Sequence, residues 1–262
     1  MVELSTNRHE RFAVKVIPVT GLSGSGKTTF IRRLLPILAR FGPVGTVKHT
    51  GHHSMELPEG KDTTVMFGAG AVAVAGIDSE KTLITLGSTS LPGALDILAM
   101  QGIAIAVVEG FKSSPLPKIV IGDIDLEGCV LRNPDPEDVI RYLDKFPDYI
   151  TLGEIQRDLE ADCRTKRTPL TMATSTIHLP QVSEVDVIPI LEVALPRIVE
   201  EAKDLPGVIG AKAAIQRGTF FGRPDKLLIA IAAEGGREAA SALEQAFSLC
   251  RGELAARGVI LG

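Results

Sequence analysis

Residues 13–29 read Ala-Val-Lys-Val-Ile-Pro-Val-Thr-Gly-Leu-Ser-Gly-Ser-Gly-Lys-Thr-Thr. Within that run Gly21-x-x-x-x-Gly26-Lys27-Thr28 satisfies every fixed position of a phosphate-binding loop. The flanks supply the context the motif needs: Val14, Val16, Ile17 and Val19 predict a strand before it, and Thr29 to Leu35 predict a helix after it. Gly21, Gly24 and Gly26 would let the backbone curl until successive amides face an anion, and the positive end of the helix would add to their pull. The predicted nucleotide-binding set is Gly21, Leu22, Ser23, Gly24, Ser25, Gly26, Lys27, Thr28 and Thr29. Lys27 would reach the β/γ-phosphates, and the Thr28 hydroxyl would face Mg²⁺.

Outward from this loop, Val44 to Val47 predicts a second strand, Ala71 to Ala75 and Leu83 to Leu86 two more, and Leu91 to Met100 a helix. Ile103 to Val108 is apolar on both faces, as in the middle of a parallel sheet covered on both sides. Lys118 to Ile121 and Cys129 to Leu131 predict further strands, and Asn133-Pro134-Asp135-Pro136 a cap for a helix reaching Lys145. Pro36 should kink the first helix. The expected fold is α/β: a doubly wound, mostly parallel sheet of the P-loop NTPase type with a small C-terminal α+β domain. Residues 1–12 read as a flexible N-terminus, 13–160 as the nucleotide-binding domain, 161–185 as a linker or arm, and 186–262 as the second domain, with helices near 191–203 and 237–251 and strands near 208–215 and 227–233.

Composition narrows the class. In 262 residues, 45% are hydrophobic, only 4% aromatic and none is Trp, which suits an aliphatic α/β interior. A net charge of -4 and a pI near 5.8 argue against a nucleic-acid partner or an acidic membrane surface. Three scattered cysteines, Cys129, Cys163 and Cys250, form neither a disulfide framework nor a Cys-x-x-Cys site, and fit a reduced cytoplasm. No apolar run approaches the ~18 residues of a membrane span, and residues 1–11 lack the apolar core of a signal peptide.

Candidate chemistry clusters at predicted strand ends. Val107-Val108-Glu109-Gly110 places a carboxylate where P-loop proteins orient Mg²⁺ or its water, so Glu109 joins Thr28 as the expected metal pair, with an ordinary strand-end charge as the alternative. Lys112 follows as a cation beside an anionic substrate. Lys48-His49-Thr50-Gly51-His52-His53 follows the second strand, at the edge where α/β sheets hold ligands. Lys48 and His49 are expected to meet phosphate or a polar heterocycle; zinc on His49, His52 and His53, or a solvated turn, are the other readings. Asp62 could position water near the metal or simply form an Asx turn. Lys27, Asp62 and Glu109 are therefore the catalytic candidates.

Taken in order, residues 21–29, Leu34-Leu35-Pro36, Val47-Lys48-His49, Gly60-Lys61-Asp62-Thr63, Gly68-Ala69-Gly70-Ala71 and Val108-Glu109-Gly110-Phe111-Lys112 with Leu116-Pro117-Lys118-Ile119 resemble the MobB family over residues 13 to 150. The resemblance implies a dimeric GTP-binding protein of molybdopterin-guanine dinucleotide biosynthesis. It would partner the MobA-like guanylyltransferase that attaches GMP to molybdopterin, supplying GTP or holding the pterin product, with low GTPase activity and Mg²⁺ near Thr28 and Glu109. Ala104 stands where that family often carries an acid, which makes hydrolysis less secure than binding. Guanine preference is implied by the resemblance alone, because no Asn-Lys-x-Asp motif occurs. Ala214 to Gly218, Gly222 to Ala230 and Arg237-Glu238-Ala239 resemble the second half of MoaE, the large subunit of molybdopterin synthase, with an unrelated small α+β domain as the alternative. Arg251 and Gly258 fall where that family's lysines would be, implying a degenerate domain for docking or pterin binding. Two other functions share these features: a small-molecule kinase, which would require an acceptor pocket, and a nucleotide-gated metallochaperone using His49, His52 and His53.

Overall fold

The computed structural model describes residues 13–51, 58–87, 90–164, 170–180 and 186–259. Its elements run β1 (Ala13–Gly21), α1 (Lys27–Leu38), β2 (Val44–Lys48), α2 (Asp62–Gly68), β3 (Ala73–Ile77), β4 (Thr82–Leu86), α3 (Leu91–Met100), β5 (Ile105–Glu109), β6 (Lys118–Ile121), β7 (Cys129–Arg132), a 3-10 helix (Pro136–Lys145), β8 (Asp148–Ile150), α4 (Leu152–Cys163), β9 (Thr171–His178), α5 (Val187–Lys203), β10 (Val208–Gln216), a 3-10 turn (Gly218–Phe221), β11 (Lys226–Ala233) and α6 (Gly236–Ala255).

The first sheet has the order β2-β5-β1-β6-β7, all parallel, with β8 antiparallel to the opening residues of β1. Side chains of a strand alternate between faces, and β1 divides accordingly. Ile17 and Val19 pack with Phe30, Ile31, Leu34 and Leu38 of α1, whereas Val14 and Val16 pack with Leu91, Leu95 and Ala99 of α3. Both faces of the central strands are thus dry, as the unbroken apolar runs predicted. α1 continues through Pro36, which sits in its last turn, where only one carbonyl loses a donor. The helix expected after Asn133 is a 3-10 helix interrupted at Tyr142 (φ -120°, ψ 15°), and its N-cap Asp135 makes no side-chain cap bond. Among the described residues, the strands expected near 71–75 and 83–86 pair only with each other, as a separate antiparallel hairpin of β3 and β4.

The second sheet has the order β10-β11-β9, all antiparallel. The central strand β11 is buried on both faces: Leu227, Ile229 and Ile231 pack with α5 and α6, and Leu228, Ala230 and Ala232 with Ile155, Leu159 and Cys163 of α4. Two expectations change here. The stretch 161–185 is not a linker throughout, because Thr171–His178 within it is β9, hydrogen-bonded along the length of β11. A boundary near residue 160 also cuts through α4, which covers the second sheet and is tied to β10 by Lys212 paired with Asp158 and Asp162. α4 also reaches the first sheet's layer, where the Arg157 guanidinium donates to the Ala99 carbonyl of α3 at 2.7 Å.

Candidate phosphate loop and strand-end site

The loop between β1 and α1 requires its glycines. Gly21, Gly24 and Gly26 have φ of 154°, 74° and 91°, values that side chains other than glycine rarely tolerate. A Cβ on Gly21 would lie 2.1 Å from the Ile121 carbonyl oxygen of β6, so the close approach of the two strand ends depends on its absence. Gly26 is the N-cap of α1 and offers no side-chain acceptor. The first-turn amides of a helix have no intrahelical partner and remain available to an external acceptor. The Lys27 ammonium folds over the loop, donating to the Leu22 carbonyl at 2.7 Å and the Gly21 carbonyl at 3.4 Å. The buried hydroxyls of Thr20 and Ser25 lack a hydrogen-bond partner among the described residues.

β5 brings the carboxylate to this loop. Glu109 lies beside Val19 of β1 and Lys48 of β2 in the parallel register. Its two oxygens lie 3.5 and 3.4 Å from the Thr28 hydroxyl. A hydroxyl and a carboxylate so apposed are the hard oxygen donors that Mg²⁺ accepts, with the remaining positions left to water and phosphate oxygens. Thr28 and Glu109 would hold the ion, which when bound would neutralise charge on the β- and γ-phosphates.

The other predicted residues divide into two groups. Lys48, His49 and Lys112 surround the same strand ends. The His49 amide donates to the Glu109 carbonyl at 2.9 Å, and its ring stacks on Phe111 with centroids 4.3 Å apart and planes 20° from parallel. Asp62 is different: it opens α2, is exposed, and makes no hydrogen bond or ion pair to the loop or to Glu109 among the described residues. His52 and His53 lie outside the described residues, and within them no group of three or more His, Cys, Asp or Glu could hold a metal ion. A cleft of about 630 Å³ runs between the second half of α1 and the 3-10 helix, lined by Arg33, Arg40, Asp135 and Glu137 among others, with no loop residue in its wall.

Three contributors escaped the sequence reading. Lys118 opens β6 with its side chain almost wholly buried, and its ammonium donates to the Lys112 carbonyl at 3.2 Å and to the Ser114 carbonyl. Burial holds its pKa below the ordinary lysine range, partly offset by Glu127 and Cys129. The signal was a lysine leading an otherwise apolar strand, Lys-Ile-Val-Ile. Asn133, with φ 44°, accepts from the Gly122 amide at 2.6 Å and joins the ends of β6 and β7. Gly110, with φ 111°, makes room for His49: an added Cβ would fall 2.9 Å from the His49 Cβ.

With this geometry in place, comparison with known proteins is specific. The sequence profile of MobB, described as molybdopterin guanine dinucleotide synthesis protein B, matches residues 16–139. Residues 16–139 are thus similar to the MobB family. Molybdopterin-guanine dinucleotide biosynthesis adapter proteins from Haemophilus influenzae and Escherichia coli are 40% identical over 114 residues and 30% identical over 116, in each case 41% of this chain and 63% or 65% of the relative. A probable adapter protein of the same name from Bacillus subtilis is 36% identical over 111 residues, covering 40% of this chain and 64% of the relative. The chain thus spans just under two thirds of the length of these curated relatives. Among solved structures, Bacillus subtilis MobB is 26% identical, covering 51% of this chain and 98% of that one with a TM-score of 0.42. The stretch matched by the MobB model ends before α4 and the second sheet begin. Among the described residues no helix is long and apolar enough to cross a membrane.

Proposed function

We propose that this chain is a GTP-binding accessory protein of molybdopterin-guanine dinucleotide biosynthesis. It would bind GTP with Mg²⁺ at residues 21–29 and assist guanylyltransfer to molybdopterin by a MobA-like enzyme. The observation that carries the reading is the apposition of Thr28 and Glu109 across the mouth of a three-glycine loop, in a stretch similar to the MobB family. Its relatives carry the name of adapter proteins of that biosynthesis. Lys27 and the loop amides bind and orient the phosphates, and Glu109 and Thr28 fix the metal side. With Asp62 making no contact to that constellation among the described residues, slow GTPase turnover at most is expected.

The same reading includes a homodimer. α2 has no buried residue, and the hairpin beside it exposes Val72 at 85%, Ile77 at 80% and Leu83 at 59%. Large exposed apolar side chains on both faces of this two-stranded hairpin mark it as an interaction element. The functional test is reconstituted guanylyltransfer with a MobA-like enzyme, molybdopterin and GTP-Mg²⁺. Wild-type chain should raise the dinucleotide yield and Lys27→Ala should not; a yield indifferent to both proteins contradicts the proposal.

A further inference from the structure

We infer that the stacked rings of His49 and Phe111 form the platform for a second ligand, a planar heterocycle with an anionic tail, held beyond the terminal phosphate of the nucleotide. The inference rests on the nucleotide reading above for its orientation. Lys27 and Thr28 belong to the β- and γ-phosphates and their metal, and Thr28 faces Glu109 of β5. The terminal phosphate therefore points toward β5 and β2, where His49 continues β2 and Phe111 follows β5. The nucleotide's own base is at the opposite end of the phosphate chain, which leaves this edge to another molecule.

The platform is built into the fold. Phe111 adopts φ 51°, a left-handed conformation that an aromatic residue adopts only when its surroundings impose it. Those surroundings are visible. The Gly110 amide donates to the Val19 carbonyl at 3.0 Å, and the Ser114 amide to the Phe111 carbonyl at 3.1 Å. The buried Lys118 ammonium holds the Lys112 and Ser114 carbonyls from within the protein. On the facing side the His49 backbone is fixed to Glu109, and glycine at 110 is what lets the two segments close to stacking distance. His49 is exposed, so its ring offers a π-face of the kind on which heterocycles stack. Lys48 and Lys112 flank it, both exposed and neither in an ion pair among the described residues, as cations for an anionic tail.

The test uses the full chain and the fluorescent probe 6-carboxypterin, titrated at pH 8 with and without GDP-Mg²⁺, with a parallel GTP titration. Wild type should quench the probe saturably. His49→Ala should weaken probe binding about tenfold or more and by a larger factor than it changes GTP affinity, and the flat-ringed His49→Tyr should restore it. Phe111→Gly, which keeps the positive φ but removes the ring, should lose the probe as His49→Ala does. Equal probe binding in wild type and His49→Ala, no probe binding by a wild type that binds GTP, or a loss confined to GTP would each overturn the inference. If wild type fails to bind GTP while probe binding still depends on His49, the nucleotide reading fails and the platform stands.

Discussion

Glu154 ties the pH dependence of stability to the seam between the two sheets. It is the third residue of α4, only 8% exposed, and it completes a capping box: the Thr151 amide and hydroxyl donate to one carboxylate oxygen at 3.2 Å, and the Thr151 hydroxyl accepts from the Glu154 amide at 3.2 Å. Burial pushes its pKa from 4.5 up to about 7, against the opposing pull of the Thr151 bonds and Arg157, while the Asp96 carboxylate adds to the rise. An acid whose pKa rises on folding contributes its full stability below about 4.5 and loses it as pH climbs through 7, because the unfolded chain ionises first. At about 1.36 kcal/mol per pH unit, the loss across that window is ~3 kcal/mol. Glu154→Gln keeps an acceptor for the cap and removes the ionisation. It should match wild type at pH 4.5 and exceed it by up to ~3 kcal/mol at pH 8, or on the order of 6–12 °C in thermal midpoint for a chain of this size. Paired thermal melts from pH 4.5 to 8 provide the measurement. A difference between the two proteins that stays flat with pH would refute the reasoning.

Other perturbations address separate joints. Gly21→Ala would force a Cβ to within 2.1 Å of the Ile121 carbonyl, so it should part β1 from β6 and abolish phosphate binding, read by amide exchange at residues 119–121; a variant that binds GTP normally would contradict this account of the loop. Lys118→Met, similar in volume but unable to donate, should leave the fold intact and speed exchange across residues 110–117, because the two carbonyls it holds lose their donor; unchanged exchange would show that the loop needs no such anchor. Ile77→Asp with Leu83→Asp should convert a dimer into a monomer in sedimentation, and a wild type that already sediments as a monomer would remove the interface.

Much of the first sheet could be read from the sequence, because its strands are unbroken apolar runs and its turns carry glycines whose function is steric. The α3 boundaries, Leu91–Met100, coincide with the predicted helix since Ser90 caps it and Pro92 suits its first turn. Other parts were hidden for physical reasons. β9, Thr-Met-Ala-Thr-Ser-Thr-Ile-His, is an edge strand whose polar threonines resemble a linker until β11 pairs with it. α4 was missed although Thr151-x-x-Glu154 is a capping-box signature, because its mixed charge masks a narrow apolar stripe of Ile155, Leu159 and Cys163. At the site, Lys27, Thr28 and Glu109 were legible from motif and strand-end position. The Phe111 stack and the Lys118 anchor were not, since both arise from a loop conformation that no spacing rule encodes.

We propose that the loop between β1 and α1 binds a guanine triphosphate through main-chain amides and the Lys27 ammonium. Titration calorimetry with GTP and ATP, each with and without Mg²⁺, on wild type and Lys27→Ala tests it directly. Saturable GTP binding strengthened by Mg²⁺ is predicted, falling about ten- to a hundredfold in the variant, the expected cost of losing a charge-assisted contact. Equal affinity in the two proteins, or no binding in either, would contradict it.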